Sequence, residues 1–303
     1  MSIRRILTPF AGRPREDMLD VAAALARRQG ADLECLYFCR PNGPPDRFFG
    51  EIYSPGWTED LAETMSKEAR ASADRARMCF EQWREQDRIR CRHSHDPVQP
   101  AVVRWTECST PYSEAIGPAA RSADLIVVSK GEGGRPSIAD RIVEAALLTS
   151  GRPVLLVPGR TVLNRCASAI IAWNDSPQAA RAVANALPLL EKCWKIVLLA
   201  VEEGGRTPSL KPVREYLTSH GIEADMVIQK PFGLSTGETL LMATDDARAD
   251  LLVMGAYSHD RTRERLFGGA TRDVMREART LAGRDRRADR RDPGPGSQGR
   301  PVG

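Results

Sequence analysis

Two runs late in the chain hold the residue types that a phosphate site needs. The first is Ala249-Asp250-Leu251-Leu252-Val253-Met254-Gly255-Ala256-Tyr257-Ser258-His259, and the second is Leu266-Phe267-Gly268-Gly269-Ala270-Thr271. Residues 251–254 are all apolar, which suits a central parallel strand covered on both faces. Gly255 ends the strand and turns the chain without a Cβ penalty. From Gly268 to Thr271 the backbone N–H groups point out of a helix N-terminus, where they and the helix dipole favour an anion. The same order of strand, glycine loop and helix start also describes a plain turn. His259 and Arg261 lie in the loop above, placed either to touch a phosphate or to be solvated.

The elements that must position these runs alternate strand and helix. Residues 3–9 read as a strand, and 14–29 as a helix with Met18, Val21, Ala22, Leu25 and Ala26 on one face and Gly30 past its end. A second strand covers 32–38, a Pro- and Gly-rich loop 41–55, and a long amphipathic helix 58–85. Strand 98–105, helix 111–121 and strand 123–129 follow. A helix capped by Ser137 then runs to 148, and a strand at 153–158 is closed by proline at both ends.

The pattern then restarts. Residues 167–173 form a strand, and Ser176 caps a helix with Pro177 at its first position. Pro188 is expected to kink or shorten that helix. Strand 195–201, helix 208–220, strand 224–229 and the capping box Ser235-Thr236-Gly237-Glu238 lead into the fourth strand at 249–254. Ala123-Asp124-Leu125-Ile126-Val127-Val128 matches Ala249-Asp250-Leu251-Leu252-Val253-Met254, and Ile6-Leu7-Thr8-Pro9 takes the place of Ile170-Ile171-Ala172-Trp173. The repeat is far longer than a solenoid unit, so it marks two whole domains, 1–160 and 165–278, ahead of a basic tail at 279–303 of disordered composition. Strands alternating with helices give right-handed βαβ units, and hence two tandem doubly wound α/β domains with parallel sheets. Ligands of such sheets lie at the carboxyl ends of the strands, where the strand order reverses.

Composition narrows the function. No apolar run is long enough to span a membrane, and the N-terminus lacks a signal-peptide core, so a cytoplasmic protein is expected. The net charge is +4, and the seven Arg and three Asp of residues 279–303 account for all of it. The near-neutral body argues against a nucleic-acid-binding face. The seven cysteines lack paired spacing and read as reduced thiols. Cys91-Arg92-His93-Ser94-His95-Asp96 is rich in metal-binding types but has no second cluster to complete a site, so no metal is expected. There is no nucleophile elbow, no Walker lysine motif and no dinucleotide fingerprint after the first strand.

The later half resembles the universal stress protein family. The resemblance rests on Ile171-Ala172-Trp173-Asn174-Asp175-Ser176 with the alanine-rich helix behind it, and on Met254-Gly255-Ala256-Tyr257-Ser258-His259 with Phe267-Gly268-Gly269-Ala270-Thr271-Arg272. The whole chain looks like a tandem member. The resemblance implies two Rossmann-like domains of the adenine nucleotide alpha hydrolase type, packed as a pseudo-dimer that can pair again as a homodimer. It also implies an ATP or AMP site, with Mg, and a stress-response role without turnover.

The family's phosphate pattern is Gly, two residues, Gly, nine residues, Gly, then Ser or Thr. Gly255 and Gly268 hold their places, Ser258 stands for the second glycine, and Gly269 replaces the hydroxyl residue. The acid that meets adenine in the family falls at Asn174, whose amide can still bond a base edge. Asp175 replaces a usual glycine and puts a carboxylate near the phosphates, a repulsion that a bound cation offsets. The resemblance thus implies nucleotide contacts from Ala172, Asn174, Asp175, Ser176, Met254, Gly255, Ser258, His259, Gly268, Gly269, Ala270 and Thr271. In the first domain Phe10 sits at the acid position, and Gly131-Glu132-Gly133-Gly134 lacks the family spacing, so that site reads as inactive.

Residues after Glu277 offer no fifth strand to match 153–157. Either the reading frame is altered there, or the exposed edge recruits another chain. Three functions remain in view: an adenine-nucleotide-binding regulatory protein, a nucleotide-free interaction protein, and, least favoured, a slow ATP hydrolase.

Overall fold

A computed structural model describes residues 2–39, 55–92, 102–131, 137–159, 167–256 and 269–277. The first half runs β1 (Arg5–Phe10), α1 (Glu16–Gln29), β2 (Asp32–Phe38), α2 (Pro55–Arg92), β3 (Val103–Cys108), α3 (Tyr112–Ala120), β4 (Leu125–Ser129), α4 (Ile138–Thr149) and β5 (Val154–Val157). The second half runs β6 (Ser168–Ala172), α5 (Pro177–Leu190), β7 (Lys195–Val201), α6 (Lys211–Ser219), β8 (Asp225–Gln229), α7 (Thr236–Asp246), β9 (Leu251–Val253) and α8 (Gly269–Glu277). All strand pairs are parallel, in the orders β3-β2-β1-β4-β5 and β8-β7-β6-β9. The two parallel-sheet α/β units expected from the alternating pattern are present.

Helices cover both faces of each sheet. In the first unit, α1 and α2 bury Met18, Ala22, Phe80 and Trp83 against Ile6, Leu33 and Val127. On the other face, α3 and α4 bury Ile116, Ile142 and Val143 against Leu7, Ile126 and Val128. In the second unit, α5 and α6 bury Val183, Leu187 and Leu217 against Ile171 and Leu198, and Leu240 of α7 covers Ile170 and Leu199. The alternation follows from the two-residue period of a strand, which sends neighbouring side chains to opposite faces.

The structure corrects several boundaries. The long helix extends to Arg92 rather than 85, and β3 begins at Val103 rather than 98. Cys91 is therefore helical, and residues 93–96 of the His cluster lie outside the described residues. The helix expected over 208–220 is shorter, Lys211–Ser219. Pro188 does not stop α5, which ends two residues later at Leu190, because the ring forfeits one hydrogen bond only in the last turn. The expected loop at 41–55 falls outside the described residues except for Pro55, which starts α2. The tail at 279–303 lies wholly outside them.

The repeat register is off by one residue from the sequence alignment. Asp124 Oδ2 accepts from the N–H groups of Arg4 and Arg5 at 2.8 and 3.0 Å. Asp250 Oδ2 accepts from Ala167 and Ser168 at the same two distances. Ile6 faces Leu125, and Ala169 faces Leu251. Phe10 therefore corresponds to Trp173 and Ala11 to Asn174, so Ala11, not Phe10, stands at the acid position. Gly12 and Asp175 then coincide, and both are left-handed, with φ of 72° and 56°. A strand that is apolar on both faces can slide by one residue in a sequence alignment, whereas the carboxylate clamp cannot.

Candidate functional site

In the order β8-β7-β6-β9, the chain leaves β6 for β7 on one side and later crosses to β9 on the other. The carboxyl ends of β6 and β9 thus border the switch point, where open α/β sheets hold their ligands. Ala172, Asn174, Asp175 and Ser176 belong to the end of β6 and its turn, and Met254 and Gly255 follow β9. The structure brings these six together. A Cβ on Gly255 would lie 2.6 Å from Ala179 N and 2.8 Å from the carbonyl carbon of Gln178. Only glycine lets the exit of β9 approach the first turn of α5 this closely.

That turn is held by its own hydrogen bonds. Ser176 Oγ donates to Asn174 Oδ1 at 2.7 Å and accepts from Ala179 N at 3.1 Å, the N-cap bond of α5. Asn174 is exposed and keeps its amide NH2 as donor. The left-handed backbone at Asp175 is tolerated by Asp more readily than by most residues. Two buried polar atoms lack a hydrogen-bond partner among the described residues, Trp173 Nε1 and Gln178 Oε1, and both belong to this segment. Each such atom costs about 1–3 kcal/mol. The first is a donor and the second an acceptor. Sequence reading missed both, since an indole and an amide in a turn look like packing and surface; an aromatic at Phe10, which ends β1, and at its counterpart Trp173, just past β6, was the available clue.

The other expected residues are placed elsewhere or not described. Gly269, Ala270 and Thr271 open α8, and this turn packs on α7: a Cβ on Gly237 would lie 2.8 Å from Ala270 O. Ser235 Oγ donates to Asp273 Oδ2 at 2.7 Å, fixing the two helix starts together. Ser258, His259 and Gly268, with Arg261, lie outside the described residues.

The first unit fills its equivalent position with its own carboxylate. Asp140 Oδ1 accepts from Gly131 N at 3.0 Å, and Oδ2 accepts from Ser137 N at 2.9 Å and Ser137 Oγ at 2.7 Å. The donors that would meet an anion at the start of α4 are already used. A Cβ on Gly131 would strike Ser137 Oγ, so this glycine is required by the closure.

Cysteine chemistry is muted. Burial pushes the Cys35 thiol up to about 12, against a smaller lowering by its contact with Thr8. Cys39 is also raised, first by burial and then by the Glu107 charge. Neither is a nucleophile near neutral pH. Among the described residues no group of three or more His, Cys, Asp or Glu is arranged to hold a metal, and no helix is long and apolar enough to cross a membrane.

Comparison with known proteins yields a fold. A universal stress protein from Archaeoglobus fulgidus DSM 4304 matches 91% of this chain and 93% of its own, with a TM-score of 0.62 at 16% identity. A functionally unknown protein from Pseudomonas aeruginosa PAO1 matches 90% of this chain and 89% of its own, with a TM-score of 0.52 at 12% identity. No family model and no curated protein matches the sequence.

Proposed function

We propose that this chain, whose fold is that of the universal stress proteins, is a tandem member of that family that binds an adenine nucleotide in its second domain. In this reading the domains are residues 1–160 and 165–278, packed as a pseudo-dimer, and the role is regulatory in a stress response, without turnover. The supporting observation is that both partnerless buried polar atoms, Trp173 Nε1 and Gln178 Oε1, fall at the switch-point turn. A base edge seated there offers an acceptor to the indole and a donor to the amide oxygen. The start of α5 and the amide of Asn174 add donors for the ligand's polar groups. Asp175 is an acidic neighbour of this turn, so a polyphosphate would arrive with a divalent cation such as Mg, which offsets its charge.

Isothermal titration of the full chain with ATP and with AMP, each with Mg, tests the reading. Saturable binding that weakens in Gly255→Val is expected, because a side chain there pushes β9 from α5. Lack of saturation at about millimolar nucleotide, far above the affinity a built site provides, would sink it. The second reading, a nucleotide-free interaction protein, draws on the outer strand β8, where Met226, Val227 and Ile228 are 44, 42 and 59% exposed.

A further inference from the structure

The first sheet has five strands, whereas the second has four among the described residues. In the first, β5 lies along the outer edge of β4, from Ile126↔Val154 to Ser129↔Val157. Across that edge Ile126 N donates to Pro153 O at 3.0 Å, and Lys130 N to Val157 O at 3.1 Å. The carboxylate clamps align the two units residue by residue, which makes Leu252 and Ala256 the counterparts of these two donors. They face the outer side of β9, the last strand of its sheet, with no strand beside them among the described residues. Burial agrees: Leu125 and Ile126 are 4 and 0% exposed, while Leu251 and Leu252 are only half-buried.

The open edge borders a cleft between the units. Leu25 of α1, Leu155 of β5, Leu189 of α5 and Leu251 of β9 line it, with Arg28 and Lys192 among them. Gln29 Nε2 donates to Pro188 O at 3.0 Å beside the cleft and ties its two walls together. Neither Arg28 nor Lys192 forms an ion pair among the described residues. The lining suits an aliphatic side chain with a carboxylate nearby. Residues 278–303 do not meet that description, having seven Arg against three Asp and only Leu281 and Val302 as aliphatic side chains of any size.

The geometry points to a docking site for an extended segment of a partner protein, aliphatic and flanked by a carboxylate, that lies parallel to β9 as a fifth strand. Main-chain bonds to Leu252 and Ala256 would give affinity, the leucine-lined cleft would take the tip of one aliphatic side chain, and Arg28 and Lys192 would select the acidic flank. The chain's own β5 supplies the pattern of the ligand. This proposal stands apart from the nucleotide reading, since it uses the side edge of the sheet rather than the strand ends.

The probe is a labelled peptide with the sequence of residues 153–157, Pro-Val-Leu-Leu-Val, bearing a glutamate at each end and titrated into the full chain. Saturable anisotropy with a Kd on the order of micromolar is expected. Amide exchange at Leu252 should slow about tenfold with peptide bound, while Ile126, already covered by β5, stays unchanged. Exposed Lys192→Glu should weaken binding about fivefold, and Lys192→Arg should preserve it. A peptide N-methylated on its pairing edge should not bind. Equal binding by the methylated peptide, protection at 225–229 in place of Leu252, or no saturation by about millimolar peptide would each overturn the proposal.

Discussion

The two halves of this chain use the same framework and finish it differently. In the first, α2 spans Pro55–Arg92, and its Phe80 and Trp83 are buried over the sheet, with Trp83 Nε1 donating to Asp20 at 2.8 Å. In the second, the helix at that place is α6, with nine residues, and β8 beside it keeps its apolar side chains exposed. The first half also closes the start of α4 with Asp140 and adds β5 beside β4. Among the described residues, the second leaves the face of β8, the edge of β9 and two polar atoms uncovered. One copy of the duplicated unit closes these positions with its own groups, and the other leaves them uncovered among the described residues.

The sharpest way to break that contrast is to remove the extra packing of the first half. Trp83→Ala should cost about 3–5 kcal/mol through the cavity and the lost bond to Asp20. Urea unfolding followed by fluorescence should show the loss in the transition that belongs to the first unit. Equal loss in both transitions would show that the halves unfold as one.

A smaller effect comes from the strand exits. Ser129 and Gly255 are counterparts, yet the turn after β1, residues 11–15, is one residue longer than the turn after β6, residues 173–176. Gly255→Ser should therefore destabilise by about 1–3 kcal/mol, as overpacking does, whereas Ser129→Gly should cost less. Thermal melts of the two variants make the comparison, and a larger loss for Ser129→Gly would reverse the reading.

Next is the left-handed residue. Asp175→Gly copies Gly12 and should stabilise by about 1 kcal/mol by relieving the backbone. Removal of its carboxylate should also tighten nucleotide binding in the absence of Mg. A fall in melting temperature would show that the Asp175 side chain has an unseen partner.

The last effect is confined to alkaline pH. Thr8 and Cys35 face each other in the first unit where Ile171 and Leu198 do in the second. Burial raises the folded Cys35 value from 9.0 to about 12, so the folded state holds its proton where the unfolded state has lost it. The thiol's contribution is complete below pH 9.0 and declines as pH rises toward about 12. Stability measured across that range should fall less steeply in Cys35→Ala than in the parent chain.

Much of the framework was legible because each element carries a local cause. Gly30, Ser137, Ser176 and Ser235 mark helix ends through left-handed freedom or cap hydrogen bonds, and all four act as read. The duplication was legible through Ala123-Asp124 and Ala249-Asp250. The exact register was not, because a doubly buried strand looks alike at neighbouring offsets and only the clamp settles it. At the candidate site, Asn174 to Ser176 and Gly255 could be placed from turn chemistry. Trp173, Gln178 and Asp140 could not, because their roles arise from what the fold places beside them.

The carboxylate clamps also set a timetable for synthesis. Arg4 and Arg5 leave the ribosome about 120 residues before Asp124 arrives to hold them, and Ala167 and Ser168 precede Asp250 by more than 80. Each opening strand must be kept from straying partners until its late carboxylate emerges. The first unit can lock while the second is still being translated, so a nascent chain stalled near residue 200 would already hold one finished sheet and the unclosed beginning of another.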